Sequence, residues 1–161
     1  MKRTLHGHGT KHLKIPKGVR NRCFGCGRDN PEGMRLKFFL DEKRQRCIGR
    51  FRLPKRYVGP PGHAHGGVIA TILDEAMGKV NKLRHVVAMT RSMEVEYLKP
   101  VPLGKPITVE GYELRVHGRK HTNVAEIRNA QGELLARSTG LFIAIDPHKM
   151  FARHIKGMRE R

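Results

Sequence analysis

The stretch Gly62-His63-Ala64-His65-Gly66-Gly67-Val68-Ile69-Ala70-Thr71-Ile72-Leu73-Asp74-Glu75-Ala76 leads from a glycine-rich loop directly into an amphipathic helix. From Gly66 to Val80 the apolar residues Ile69, Ile72, Leu73, Ala76, Met77 and Val80 recur at helical spacing. On a wheel advancing roughly 100° per residue they fill one broad arc together with Ala70. Asp74 falls just outside the edge of that arc, beside Ala70, whereas Glu75 falls on the opposite, polar side. Asp74 is therefore the better candidate for chemistry, because it is held at the border of the buried stripe. Glu75 is expected to point away from the core.

The start of the same helix supplies a second element. The first turn of a helix leaves backbone N–H groups without intrahelical partners, and the dipole there favours negative charge. Gly66 and Gly67 place no side chain over those donors. A carbonyl oxygen docked there would be polarised, and the oxyanion formed on attack would be stabilised. Asp74 lies about two turns further on, or roughly 12 Å of rise. A carbonyl bound at Gly66 is out of its reach in the same chain, so catalysis would need Gly66 from one protomer and Asp74 from another. The competing view is plain: two glycines that allow tight helix–sheet packing and a solvated helix carboxylate. His63 and His65 flank the loop, where a histidine commonly serves as a packing or hydrogen-bonding residue.

Outward from the helix, residues 34–40 alternate weakly and are expected as a strand. Residues 46–53 are a second, with Cys47, Gly49, Phe51 and Leu53 on one face and Ile48 on the other. The polar residues 41–45 join the two as a hairpin. After the helix, strand-like stretches cover 86–98, 106–117, 120–129 and 134–145, with punctuation at Pro100-Val101-Pro102-Leu103-Gly104, His117-Gly118 and Asn129-Ala130-Gln131-Gly132. Two strands, one long helix and consecutive long strands predict an α+β domain with a mainly antiparallel sheet. There is no internal repeat and no βαβ alternation.

The 161 residues suit one domain. No apolar run approaches the ~20 residues that span a bilayer, so no membrane partner is expected. Residues 1–22 read as a basic, poorly ordered arm without an apolar stretch, which argues against a secretory signal. The absence of Ser and the breaks at Gly and Pro argue against a mitochondrial presequence. The net charge is +19, and the two basic tails, 1–22 and 147–161, supply more than half of it. Such a surface suits nucleic acid, a membrane surface or a polyanionic small molecule, and solvated tails that select nothing explain it equally well. Three cysteines argue against a disulfide framework and for a reducing, cytoplasmic setting. Cys23 and Cys26 form a C-x-x-C followed by Gly27. Zinc would want four ligands, with only Cys47 or scattered histidines left to complete them, and a plain turn at the domain entrance is the alternative. Nothing in the sequence requires a metal or a redox cofactor.

The order hairpin, Gly/Pro loop, His-Gly-Gly, helix with Asp, then long strands resembles the hot-dog superfamily, and within it the PaaI-type acyl-CoA thioesterases. The quoted stretch follows that family's H-G-G-x-x-x-x-x-x-D-x-A signature. The opening Cys23-Phe24-Gly25-Cys26-Gly27 and the later Tyr97-Leu98-Lys99-Pro100-Val101-Pro102-Leu103-Gly104 resemble a bacterial branch of it. The resemblance covers residues 23–146 as one thioesterase domain and leaves both basic tails outside. It implies a curved antiparallel sheet wrapped around one long central helix, and a homodimer with two shared sites, often paired into a homotetramer. It implies an acyl-coenzyme A substrate, with the Gly66 backbone as oxyanion donor and Asp74 as general base or nucleophile. His65 corresponds to the residue that assists with the thioester, and Thr90 to a hydroxyl that orients the attacking water. Gly67 and His63 would contact substrate, and Arg119 and Lys120 would meet the coenzyme A phosphates, with Arg137 a further candidate.

One departure stands out. Relatives often carry Asn or Gln six or seven residues before the histidine, where this chain has Val58 and Gly59. Either His63 assumes part of that polar role, or the site is altered. Two other functions fit the same scaffold. A non-catalytic acyl-CoA-binding or nucleic-acid-binding regulatory protein would use the basic tails, although 1–22 shows no helix-turn-helix periodicity. A hydratase would need a dedicated Asp–His pair, which Gly66 and Asp74 fit less well.

Overall fold

A computed structural model describes residues 20–157. The elements follow in the order β1 (Phe38–Asp41), β2 (Arg46–Arg52), α1 (Gly66–Val80), β3 (Ala88–Tyr97), β4 (Pro106–His117), β5 (Lys120–Asn129), β6 (Leu134–Ala144) and α2 (Pro147–Gly157). Every strand pairing is antiparallel, and the spatial order is β1-β2-β4-β5-β6-β3. The sheet curves around α1 in a hot-dog fold. Only β1 and β3 have a free edge within the described residues.

The period-2 pattern of the long strands creates the cradle. Ile107 and Val109 on β4, and Ala125 and Ile127 on β5, are buried against Ile69, Ile72, Leu73, Ala76 and Met77 of the helix. The helix backbone comes close to the sheet at Gly111. A Cβ there would sit 2.9 Å from the Ala76 carbonyl oxygen, so a larger residue would push α1 off the strands. The C-terminal end of α1 is secured by a polar bond, since the Asn123 amide donates to the Met77 carbonyl and to Asn81 Oδ1, each at 2.9 Å.

Two local differences from the sequence expectations have clear causes. The first strand begins at Phe38 rather than near 34, because Arg35 adopts φ 52° and breaks the extended run. Met34 and Leu36 are still buried, and their N–H groups bond to the Phe24 and Gly25 carbonyls of the cysteine turn. The segment 147–161, for which no element was expected, forms helix α2 as far as Gly157. Asp146 Oδ1 accepts the His148 and Lys149 N–H groups, and Pro147 opens the helix, an N-cap and first-turn pattern that Asp146-Pro147 does carry. Most of the basic arm, 1–19, and residues 158–161 lie outside the described residues.

Candidate active site

The candidate residues gather in two groups, one at each end of strand β3. At its C-terminal end lies the start of α1. His65 is the N-cap, and its Nδ1 accepts the Gly67 N–H at 3.0 Å. The His65 carbonyl accepts from Val68 and Ile69 at 3.0 and 3.1 Å, and the His65 N–H donates to the Tyr57 carbonyl at 2.8 Å. Gly66 is left as the one first-turn N–H without an acceptor among the described residues. The two glycines therefore differ: Gly66 offers a free donor, whereas the Gly67 donor is held by the cap. In its neutral form His65 must then carry its proton on Nε2.

Tyr97, at the end of β3, donates its hydroxyl to the Gly66 carbonyl at 3.1 Å. Nothing in the sequence signals this contact, because no periodicity links a strand-end tyrosine to a glycine 31 residues earlier. Behind His65 runs Gly59, where a Cβ would lie 2.7 Å from the His65 Cα. A side-chain amide, which the resemblance led one to expect at one of these two positions, has no room at Gly59, and Val58 is exposed. His63 is half-buried, and its Nδ1 contacts the Pro61 carbonyl at 2.9 Å, so that nitrogen is spent inside its own loop.

The other group lies near the N-terminal end of β3. Thr90 Oγ1 donates to Asp74 Oδ1 at 2.7 Å. A bulge between Thr90 and Ser92 shifts the β3–β6 register at this point. Asp74 is half-buried, and that burial pushes its carboxyl above the ordinary carboxylate value; the Thr90 hydrogen bond opposes the shift and the nearby Glu75 charge adds to it. Removing the hydroxyl in Thr90→Val should raise the Asp74 pKa further. If Asp74 is the base, the acidic limb of the rate profile should move to higher pH. A pH–rate profile that coincides with wild type would detach Thr90 from Asp74 ionisation.

Glu75 lies on the polar side of α1, away from the core as the helical wheel predicts, but that side is not open to solvent. The turn at 23–27 folds over it: Cys23 Sγ approaches Glu75 Oε1 at 3.5 Å, and Lys79 pairs with Glu75 Oε2 at 3.3 Å. The polar side of α1 is thus covered by the segment preceding β1, and Asp74 faces β3 instead.

Arg119 and Lys120 are exposed around Gly118 (φ 56°) in the β4–β5 turn, with Arg119 Nε donating to the Ala144 carbonyl at 3.0 Å. Lys120 is paired with Ile143, which in turn is paired with Met89. Two strand spacings, roughly 10 Å, thus separate the Lys120 backbone from the residue beside Thr90. The basic turn thus lies on the Asp74 side of the sheet. Arg137 forms an ion pair with Glu96 and is committed there.

The sequence profile of the thioesterase superfamily matches residues 61–136, from the loop before α1 into β6. The protein called acyl-coenzyme A thioesterase THEM4 of Mus musculus is 32% identical over 118 residues, which is 73% of this chain and 51% of that one. The chain spans about half the length of the curated relatives it matches. Among solved structures, a thioesterase superfamily protein superposes with a TM-score of 0.72 at 33% identity, covering 78% of this chain and 65% of the other. The Escherichia coli PaaI protein of the phenylacetic acid degradation operon superposes with a TM-score of 0.63 at 17% identity, over 68% of this chain and 79% of that one. The last of these speaks for the fold alone.

Proposed function

The chain belongs to the thioesterase superfamily, and from that premise we propose that it hydrolyses an acyl-coenzyme A at sites built from Gly66 of one protomer and Asp74 of another. The observation that carries this is the pairing of a free backbone donor with a carboxyl of raised pKa, set at opposite ends of one edge strand. Strand β3 has ten residues and no neighbour on its outer side among the described residues. If two copies paired antiparallel along β3, about a two-fold axis near its middle, Thr90 of one would approach the Tyr97 end of the other. The helix dipole and the Gly66 N–H would then face the Asp74 carboxylate of the opposite chain across a gap wide enough for a thioester.

The chemistry follows from the two halves. The thioester oxygen accepts the Gly66 N–H, and negative charge developing there on attack is stabilised by that donor and the helix N-terminus. Thr90 occupies one Asp74 oxygen, which leaves the other to take a proton from water as the new C–O bond forms. Collapse of the tetrahedral intermediate breaks the C–S bond. Coenzyme A leaves as a thiolate and regains a proton, giving free acid and free thiol from one acyl-CoA and one water. A carboxyl raised towards neutral pH is better matched to this base role than an ordinary one. Arg119 and Lys120 supply positive charge for the coenzyme A phosphates at the Asp74 half.

The test is release of free thiol from a panel of short, long and aromatic acyl-CoAs. Turnover on at least one class is the expected result. Binding of acyl-CoA without release of thiol on any member would replace hydrolysis with the acyl-CoA-binding regulatory function.

A further inference from the structure

We propose that Cys23, Cys26 and Glu75 form a zinc site that fastens the segment preceding β1 to helix α1. The two sulfurs and a Glu75 carboxylate oxygen lie within 4.8 Å of one another, and Cys23 Sγ is already 3.5 Å from Glu75 Oε1. Ligands around a tetrahedral zinc stand roughly 3.5–4 Å apart, given Zn–S near 2.3 Å and Zn–O near 2.0 Å, so small side-chain adjustments suffice.

The backbone is shaped to present both thiols to one point. The Gly27 N–H closes onto the Cys23 carbonyl at 2.9 Å. A Cβ at Gly27 would lie 2.5 Å from Cys23 backbone atoms, so only glycine allows so tight a C-x-x-C-G turn. A Cβ at Gly25 would lie 2.4 Å from Glu75 Oε1, so the turn lies directly on the carboxylate. The Cys23–Glu75 contact joins residues 52 apart in sequence, which is why the C-x-x-C appears short of ligands when the chain is read linearly.

Charge and ligand type favour zinc. Two thiolates and a carboxylate carry three negative charges, and a divalent ion with the Lys79 ammonium, 3.3 Å from Glu75, neutralises them. Soft thiolates in a tetrahedral set select zinc over magnesium or calcium. Cys23 is exposed, so the fourth position opens to solvent and takes water. Residues 21–36 contain no strand or α-helix and are held by turn hydrogen bonds together with buried Met34 and Leu36. A metal bond to α1 would cross-link this segment beside Asp74, and its binding energy would add to folding stability.

The experiment uses the full chain, stripped with chelator under reducing conditions, reloaded with zinc, desalted and assayed for metal by mass spectrometry. A parallel sample is loaded with cobalt for absorption spectroscopy. The chain has ten histidines that also bind zinc, so dependence on the cysteines is the criterion. Wild type should retain about one cysteine-dependent zinc per chain and show sulfur-to-cobalt charge-transfer bands. Both should be lost in Cys23→Ser, whose position is exposed and tolerates the change, and weakened in Glu75→Gln. Equal zinc content in wild type and Cys23→Ser, or a cobalt spectrum without thiolate bands, would overturn the assignment. So would a reduced, folded protein that binds no zinc and instead oxidises to a Cys23–Cys26 disulfide.

Discussion

Asp74→Asn is expected to lower kcat for thioester hydrolysis by about 10²–10⁴-fold with the fold retained. The amide oxygen of Asn can still accept the Thr90 hydroxyl that Asp74 accepts at 2.7 Å, so local geometry survives while the base is lost. The same variant should be as stable as wild type, or more so, at neutral pH. Burial pushes the Asp74 carboxyl above its ordinary value, with Glu75 adding and Thr90 opposing, so the folded chain holds that proton more tightly than the unfolded chain. The stabilising effect of the raised pKa is complete below the unfolded value and is lost as pH rises through the folded one. Above it, the buried charge is a penalty that Asn does not carry. Steady-state kinetics on acyl-CoA and thermal melts at several pH values measure both effects. Wild-type turnover in Asp74→Asn on every accepted acyl-CoA would remove Asp74 from the base role.

Gly66→Pro should cost about 10²–10³-fold in kcat, the size of one lost oxyanion donor. Proline removes the N–H and adds a ring whose Cβ would meet the Tyr97 ring at 3.6 Å, an ordinary contact, and it is favoured as the first residue of a helix, so the loss read here is that of the donor together with any crowding by the ring. His65 is already extended, at φ −64° and ψ 141°, as the residue before a proline must be. Helix α1 should therefore form normally, which circular dichroism would verify. Mixing the two variants then tests whether the site is shared. In a random mixture, about half the dimers pair Gly66→Pro with Asp74→Asn and assemble one intact site of two, which restores about a quarter of wild-type activity. If each site were complete within one chain, the mixture would stay as inactive as its components.

Much of the fold is written in local periodicity. The apolar spacing from Ile69 to Val80 defines α1 with both of its ends, and the alternation in 106–117 and 120–129 gives β4 and β5 to the residue. These patterns survive reading one chain at a time because burial against a core depends only on which way each side chain points along its own element. The wheel also places Asp74 at the border of the buried face, where it meets Thr90.

The contacts that turn those elements into a site follow another logic. Tyr97 reaches Gly66, and Thr90 reaches Asp74, because β3 runs as an edge strand beside β6 rather than beside β4, its successor in sequence. The capping of Gly67 by His65, which singles out Gly66 as the donor, depends on one histidine rotamer that no spacing specifies. Glu75 occupies the polar side of its helix, yet whether that side meets water or the cysteine turn is set by where a segment 52 positions away in sequence packs. Sequence alone therefore determined the hot-dog scaffold and the helix with Gly66 at its start and Asp74 two turns along. Tertiary structure alone decided which donor is free, what holds the carboxylate and what covers its neighbour, since those depend on distances between segments that periodicity does not encode.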